Sequence, residues 1–527
     1  MIDASLFEGD IEPSYKRNNL IVLLASSFLT ALTIRLIILF SSAPYFFGGD
    51  LYSYFTFSEE IRLNGMLIPY YNTLHFPGTG FVFPPLIPFL LSPLVIYFNT
   101  QKALEIFTLL EILTGSISTI PVYKISRYIF NQKTGIFASF LYSTFPPFIY
   151  LDIWGDFAQV AGLFLILLII LATINILENK NKRSGITILA ILITVIAYTH
   201  DLSFFFVIFY LLITVLTLLI LNLFRSRHLN STLSIFLGGT FGSAIGSSWY
   251  FYHSSIFYFL TVHRSSVYSG GTIYQSIYSM SVEFDIPYGF QSIVYVFFAL
   301  VIVTWIYMHT KHHGDKVILI DALLAGSLIP CLAFALDPVL FSRFGYFVSL
   351  GYVFTGSFFL SNLIFRKPEG KINWRYLKRT LKAGTVLFIA LYVSFSVVMN
   401  ENAHEYYVAG GQNISYNSDC GVIHWFDSKS NKTAVIAAPQ AIGFMLMAFT
   451  KNPVIVNESI SLLTQHLEFE ESNAAGILVN FSQNVSEIKE VEKEYHVYYV
   501  VSSAGYLGKY YKSVYSNLDY SIYVLNL

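Results

Sequence analysis

The 527-residue chain is 55% hydrophobic and only 12% charged, with a mean hydropathy of +0.59 and a formal net charge of −1. Soluble domains carry roughly 25% charged residues, so this composition excludes an ordinary soluble fold. Repeated apolar runs of about 20 residues, each bracketed by charge, predict an α-helical polytopic membrane protein embedded among membrane lipids. The sequence contains no block of basic residues that would indicate a nucleic-acid partner.

The first apolar run follows a polar N-terminus and predicts a retained helix over 19–44, because it is too long for a signal peptide and lacks a small-residue cleavage site. The next apolar stretch, 84–98, is only about 15 residues long and contains Pro93, which favours an interfacial helix over a span. The further predicted spans are 103–123, 135–150, 157–177, 185–199, 202–223, 232–251, 289–309, 317–336, 345–365 and 383–399.

The distribution of Lys and Arg orients these spans, about eleven in all. When 84–98 does not cross, the basic clusters at 124–133, 180–183, 225–227 and 366–382 share one side. Short cytoplasmic loops are enriched in Lys and Arg, so this side is predicted to be cytoplasmic, together with the N-terminus. A full span at 84–98 would place all these clusters outside, and we reject that topology.

The chain divides into two predicted domains. Residues 1–399 form a transmembrane domain, whose first outer loop, 45–101, includes the interfacial helix 84–98. Residues 400–527 form a polar, extracytoplasmic domain. In this domain strand candidates alternate with helix candidates, which predicts a small α/β sandwich. The strand candidates are 434–438, 454–456, 497–501 and 522–525. The helix candidates are 440–449, a segment that follows 454–456, and 486–494.

The first candidate functional residue is Asp50, which follows two glycines at the outer end of the first span. A carboxylate with a reference pKa of about 3.9 is ionised near neutral pH and can accept a proton from a substrate. The alternative is a structural Asp that caps a helix over 51–64.

Other acids and a histidine follow later spans on the predicted outer face. Asp152 and Asp156 form a four-residue-spaced pair that could bind a metal or orient an acceptor, or could simply cap the span after them. His200 stands beside Asp201 and could transfer a proton, or mark the membrane interface.

Two arginines on the same face could bind an anion. Arg343 lies at the outer mouth of a late span, and a planar guanidinium matches phosphate through paired hydrogen bonds. The alternatives for Arg343 are snorkelling to lipid headgroups or pairing with Asp337. Arg264, in the long outer loop, is a second candidate for the same role.

Several of these segments resemble the GT-C class of membrane glycosyltransferases, which use polyprenyl-phosphate-linked sugars. Gly49-Asp50-Leu51-Tyr52-Ser53-Tyr54 is similar to the loop that carries the essential acid of the class. Phe83-Pro84-Pro85-Leu86 resembles the juxtamembrane helix of protein mannosyltransferases, and Phe145-Pro146-Pro147 resembles their third span. The resemblance covers roughly residues 20–180.

A second similarity is to the catalytic subunits of oligosaccharyltransferases, which share the first-loop acid, an acidic motif after the third span and an outer C-terminal domain. Their Trp-Trp-Asp-Tyr-Gly acceptor motif is absent here, and His424-Trp425-Phe426-Asp427 stands where that motif is expected. This departure argues against transfer of an oligosaccharide to Asn.

The resemblance implies an inverting glycosyltransferase that moves a sugar from a polyprenyl (dolichyl) phosphate to a lipid, glycan or protein acceptor. Asp50 would be the general base on the acceptor hydroxyl, and Arg343, assisted by Arg264, would stabilise the departing phosphate. A divalent cation, Mg or Mn, is the cofactor that Asp156 could hold. The substrate-binding residues expected from the resemblance are Asp156, Asp152, Arg343, Arg264, His200 and Tyr52.

Two other classes of function stay open. A transporter or lipid flippase explains the many spans equally well, but transporters place polar sites near the membrane midplane. A non-catalytic scaffold presenting the C-terminal domain predicts that Asp50, Asp156 and Arg343 lie far apart.

Overall fold

The architecture is known from a computed structural model. It describes residues 17–42, 49–64, 84–154, 156–178, 182–225, 229–252, 273–283, 293–312, 315–333, 335, 338–365, 416–431, 433–450, 452–457, 474–480, 484–502, 510–517 and 520–525. The predicted span at 383–399 and the boundary between the two domains at 399/400 lie outside these residues.

The N-terminal part of the described chain is all helical. Its helices are α1 (Arg17–Ser42), α2 (Gly49–Asn64), α3 (Leu86–Tyr97), α4 (Thr100–Ile117), α5 (Thr119–Ile129), α6 (Gln132–Thr144), α7 (Pro146–Trp154), α8 (Phe157–Leu177), α9 (Lys182–Ala197), α10 (Asp201–Arg225), α11 (Leu229–Tyr252), α12 (Ile273–Glu283), α13 (Ile293–Lys311), α14 (Ile318–Ala333) and α15 (Pro338–Phe365).

Within the described residues, six helical segments are long and apolar enough to cross a membrane: Leu20–Ile37, Thr100–Ile129, Phe157–Leu177, Asp201–Leu223, Val294–Lys311 and Phe341–Ile364. Three further apolar helices are shorter: Leu86–Tyr97, Arg183–Ala197 and Ile318–Ala333. These helices support an integral membrane protein, whereas the predicted total of about eleven spans is not confirmed.

The predicted span at 135–150 is two helices in the structure. α6 ends at Thr144, Phe145 is extended with φ −80° and ψ 119°, and α7 begins at Pro146. A residue that precedes proline is pushed out of the helical region by the proline ring, so the Pro-Pro pair itself causes the break. α7 then leads the chain to Asp156.

The first outer loop contains two helices. Asp50 lies in the first turn of α2, which agrees with the helix expected in this stretch. α3 is 12 residues long and follows directly on Pro84-Pro85, with Pro93 inside it. At about 1.5 Å per residue it is too short to span a bilayer, although its place at the membrane interface stays a prediction. The Leu86 N–H donates to the Tyr198 carbonyl at 2.9 Å and so ties the start of α3 to the end of α9.

Arg35 is a charged residue inside the first span, and it faces the helix bundle. It is 2% exposed and donates to the carbonyls of Ala31 at 3.4 Å and Phe148 at 3.5 Å. Intramembrane charge is costly unless it finds such partners, so this arrangement links α1 to α7.

Glycines allow α9 and α11 to pack with their backbones in close approach. Gly238, Gly242 and Gly246 recur every fourth residue on one face of α11. A Cβ atom at Gly242 would lie 2.7 Å from the Ala190 carbonyl oxygen, and one at Gly246 would lie 2.6 Å from the Ala197 Cβ. Small residues at such spacing are a common means of helix association in membranes.

This packing predicts opposite effects for two neighbouring Gly→Ala substitutions. Gly242→Ala is expected to lower the free energy of unfolding by about 1–3 kcal/mol, because the added methyl meets backbone atoms of α9. Gly239→Ala is the matched control: its Cβ would make one ordinary contact, 3.5 Å from Leu211 Cδ1, so the higher helix propensity of Ala should raise stability by up to about 1 kcal/mol. Thermal unfolding in detergent measures both, and equal shifts in the same direction would contradict the proposed packing.

The C-terminal part is a small α/β unit. Its helices are α16 (Tyr416–Lys429), α17 (Gln440–Thr450) and α18 (Val485–Tyr495), and its strands are β1 (Val435–Pro439), β2 (Val454–Asn457), β3 (Val497–Ser502), β4 (Tyr511–Ser516) and β5 (Ser521–Leu525). The sheet order is β2-β1-β3-β5-β4, with β2, β1 and β3 parallel and β5 antiparallel to both β3 and β4. The four predicted strands and the predicted helices at 440–449 and 486–494 are present, and the helix predicted after 454–456 lies mostly outside the described residues. β4 was not predicted, because only its first residue, Tyr511, is buried and the strand lacks alternation.

The α/β unit packs onto the first outer loop. The rings of Tyr52 on α2 and Phe449 on α17 are 6.1 Å apart between centroids. One cluster of buried apolar side chains joins the two parts and includes Leu51, Phe55, Leu91, Phe107, Phe426, Met445 and Leu446. Burial of this shared surface holds α2 between the α/β unit and the membrane helices.

Candidate functional site

Asp156 stands at the N-terminus of α8 and caps it. Its Oδ1 atom accepts a hydrogen bond from the Gln159 backbone N–H at 3.1 Å, as expected for an Asp N-cap. The residue is only 3% exposed. The capping role considered for Asp156 is therefore present, and the carboxylate has other partners as well.

Arg343, near the start of α15, forms an ion pair with this carboxylate. Its Nη1 atom donates to Asp156 Oδ2 at 2.7 Å and to Gln159 Oε1 at 2.8 Å. The Asp156 side chain is 4% exposed and the Arg343 side chain 25% exposed. Two residues that were singled out separately, both on the predicted outer face, are thus in direct contact. Asp337, the alternative partner of Arg343, lies outside the described residues.

The ion pair has no net charge, and it lies at the N-terminus of α8, where Asp156 is the N-cap. The N-terminus of a helix carries a partial positive charge, and Arg343 keeps part of its surface accessible.

α2 contributes Tyr54 to the same site. The Tyr54 hydroxyl donates to Asp156 Oδ1 at 3.4 Å, and its ring stacks on Phe107 at 6.4 Å between centroids. Asp50 lies four residues before Tyr54, one helical turn away on the same face of α2. The side chain of Asp50 is outside the described residues, but its backbone position is one turn from a residue that touches Asp156.

His200 lies at the turn between α9 and α10, close to α8. The Ser203 N–H donates to His200 Nδ1 at 3.2 Å, so the imidazole caps α10. A Cβ atom at Gly162 would lie 2.3 Å from Ser203 Oγ and 3.5 Å from His200 Cβ, so glycine alone permits this approach. Gly162 is three residues after Gln159, and His200 therefore sits about one turn further along α8 than the ion pair.

Tyr52 is buried and contacts the C-terminal unit rather than Asp156. It is 2% exposed and packs against Phe449. Its expected role in substrate binding stays a prediction. The same holds for Asp152, whose side chain is not among the described residues, and for Arg264, which lies in the undescribed stretch 253–272.

Two residues of the site were not singled out from the sequence. Gln159 is fully buried and bonded to Arg343, and Tyr54 is bonded to Asp156. Gln159 could have been noticed as a polar residue inside an otherwise apolar helix, three positions after an N-cap Asp. Tyr54 gave no comparable signal, because the loop is rich in aromatic residues.

The described side chains around Asp156 do not fit a divalent cation. Mg and Mn prefer a shell of several oxygen ligands, whereas here one carboxylate lies against a guanidinium. Within the described ranges, no three His, Cys, Asp or Glu side chains come together as a metal site would require.

Comparison with solved structures identifies proteins with this architecture. ArnT from Cupriavidus metallidurans, bound to undecaprenyl phosphate, matches with a TM-score of 0.61 at 12% identity, over 96% of this chain and 98% of that one. Oligosaccharyltransferase AglB from Archaeoglobus fulgidus, in complex with an inhibitory peptide and a dolichol-phosphate, matches with a TM-score of 0.58 at 14% identity, over 92% of this chain and 69% of that one. The chain has the GT-C fold.

A third GT-C neighbour is the arabinofuranosyltransferase AftD from Mycobacteria, with a TM-score of 0.50 at 13% identity over 98% of this chain and 40% of that one. AglB has also been solved in complex with Zn and sulfate. No protein-family model and no curated protein sequence matches the chain. The resemblance to GT-C enzymes predicted from the sequence is confirmed at the level of the fold.

Proposed function

We propose that the protein is an integral-membrane glycosyltransferase that moves a sugar from a polyprenyl-phosphate carrier to an acceptor on the extracytoplasmic face. The observation that carries the proposal is the Asp156–Arg343 ion pair, which joins two predicted outer-face residues within a GT-C fold. The fold neighbours ArnT and AglB were solved with polyprenyl phosphates, undecaprenyl phosphate and dolichol-phosphate respectively.

Arg343 is proposed to bind the phosphate of the donor. A guanidinium offers paired donors that match phosphate oxygens, and the Arg343 side chain is 25% exposed. When the bond to the sugar breaks, negative charge develops on the phosphate, and a cation held in a site of low dielectric stabilises that charge strongly. Arg264 is proposed to assist from the long outer loop.

Asp50 is proposed to be the general base that takes the proton from the acceptor hydroxyl. Its position on α2 is one turn from Tyr54, which touches Asp156. A base and a leaving-group stabiliser on two sides of one sugar support in-line displacement with inversion, because the acceptor oxygen attacks opposite the departing phosphate.

The remaining residues are proposed to shape the substrate site. His200, which lies about one turn along α8 from the ion pair, and Asp152 are proposed to contact the sugar or the acceptor. For Tyr52, which is buried against Phe449, a role in substrate binding is proposed from the resemblance alone. Binding of a divalent cation, Mg or Mn, stays a proposal, and it would require the carboxylate of Asp152 as a ligand. The N-terminus is proposed to be cytoplasmic and the C-terminal α/β domain, residues 400–527, extracytoplasmic, where it covers α2 beside the acceptor.

Two rival functions fit less well. A scaffold predicts that Asp156 and Arg343 lie far apart, yet their atoms are 2.7 Å apart. A transporter predicts a polar site near the midplane. The ion pair instead lies at the N-terminal end of α8, an apolar helix long enough to cross a membrane.

The direct test is incubation of the purified protein with labelled polyprenyl-phosphate sugars, including mannose, and with lipid, glycan and peptide acceptors. We expect label to appear on one class of acceptor and free polyprenyl phosphate to accumulate in equal amount. Movement of the lipid-linked sugar across a liposome membrane, without transfer to any acceptor, would instead favour the flippase.

A further inference from the structure

The strongest unexplained feature near the ion pair is the side chain of Gln159. It is 0% exposed, and its Oε1 atom accepts from Arg343 Nη1 at 2.8 Å. A guanidinium can only donate, so the oxygen of the amide must face Arg343, and this fixes which atom is Nε2. Within the described part of the chain, Nε2 has no hydrogen-bond partner.

The local sequence offers Gln159 a simpler arrangement that it does not adopt. Asp156-Phe157-Ala158-Gln159 matches a capping box, in which the third residue after the cap bonds back to the backbone N–H of the cap. Here the Asp156 N–H donates to the Leu151 carbonyl at 3.3 Å instead. The Gln159 amide is directed to Arg343, which leaves both hydrogens of Nε2 buried without an acceptor.

A buried donor without a partner is costly, and native proteins keep one chiefly where a ligand or a bound water completes it. Nε2 is bonded to the same carbon as Oε1, so it lies one amide width from the oxygen that accepts from Arg343, the residue proposed to bind the anion. The missing partner must be a hydrogen-bond acceptor, and an acceptor shared with the guanidinium of Arg343 is bound most strongly when it is an anionic oxygen.

We propose that Gln159 is a second binding residue for the phosphate of the lipid carrier, with Nε2 donating to a phosphate oxygen while Arg343 holds the charge. The inference rests on the proposed function, since it assumes that a polyprenyl phosphate occupies this site. It adds a neutral donor to the phosphate contacts, and it gives the buried amide a direct role instead of a structural one.

The test measures the affinity of the purified protein in detergent for farnesyl phosphate and for farnesol, which differ only in the phosphate. Gln159→Met removes the donor without adding charge, and it is expected to weaken binding of farnesyl phosphate about tenfold or more, the range for a hydrogen bond to a charged group. Binding of farnesol should not change. Thr173→Val is the matched control, because Thr173 is also a fully buried polar residue of α8.

A double-mutant cycle separates direct contact from support of Arg343. Arg343→Lys keeps the charge but loses the planar fork, so binding should be weakened yet measurable. If Gln159 contacts the phosphate itself, Gln159→Met weakens binding in this background by a similar factor; if Gln159 acts only through the guanidinium, the factor falls to one.

Three outcomes would overturn the inference. If Gln159→Met binds farnesyl phosphate with the wild-type affinity, Nε2 donates to a water molecule or to no acceptor, and not to the phosphate. A factor of one in the Arg343→Lys background would make Gln159 a positioning residue. A wild-type protein that does not prefer farnesyl phosphate to farnesol would remove the phosphate site altogether, and with it the proposed function.

Discussion

Replacing Arg343 by glutamine is expected to lower the rate of sugar transfer by about 10²–10³-fold, the range for loss of one group that stabilises developing negative charge. The substitution also leaves the carboxylate of Asp156 buried without its cation, at 4% exposure. Removing one partner of a buried pair costs about 3–5 kcal/mol, so the thermal unfolding temperature should fall as well.

The loss of activity can be separated from the loss of stability by neutralising both charges. In the double variant Asp156→Asn, Arg343→Gln no uncompensated charge remains, so the unfolding temperature should largely recover while transfer stays low. Transfer at the wild-type rate in this double variant would show that neither charge takes part in the reaction.

Arg62 provides a matched control for Arg343. It lies at the far end of α2 and pairs with Glu59, whose side chain is 3% exposed, so Arg62→Gln also removes one cation from a buried carboxylate. Arg62 has no place in the proposed site. We therefore expect Arg62→Gln to lower stability but to leave the KM for the lipid donor unchanged, whereas Arg343→Lys should raise that KM.

Asp50→Asn is expected to abolish transfer, with a fall in kcat of about 10²–10⁴-fold, because an amide cannot accept the proton of the acceptor hydroxyl. The protein should still insert into the membrane and still bind the lipid donor, since the change is isosteric and the helix around it is retained. Single-turnover transfer and binding of farnesyl phosphate, measured on the same preparation, separate chemistry from binding.

The control for Asp50 is Glu105→Gln. Glu105 is a carboxylate in the first turns of α4, with a 38% exposed side chain paired to Lys102 at 2.8 Å. Exposed pairs of this kind contribute little, so this variant should transfer sugar at the wild-type rate. Full activity in Asp50→Asn would remove Asp50 from the mechanism.

The sequence predicted the elements whose signal is local. The span at 157–177 coincides with α8, because an unbroken apolar run of that length has one structure in a membrane. The sequence also predicted the short helix after Pro84-Pro85 and the first strand of the C-terminal sheet. The signals were the length of the apolar run and the turn residues that bound it. The break at Phe145 was not predicted, although the Pro-Pro pair that causes it was noted as a motif.

The site was only partly predictable. Asp156 and Arg343 were both singled out, but as separate residues with several possible partners. For Arg343 the only pairing considered was with Asp337, its near neighbour in sequence. The observed partner is 187 positions away.

Composition and spacing alone therefore determined that this is a membrane protein, and they predicted that 84–98 is not an ordinary span. The helix after Asp50 was considered only as the alternative to a catalytic role. The GT-C fold was expected from the resemblance of short motifs to that class, not from composition or spacing. Only the tertiary structure decided that Asp156, Gln159, Arg343 and Tyr54 form one cluster. The physical reason is the sequence separation of the interacting residues. Helix formation depends on neighbours within a few residues, whereas a buried ion pair depends on how helices that are distant in sequence pack.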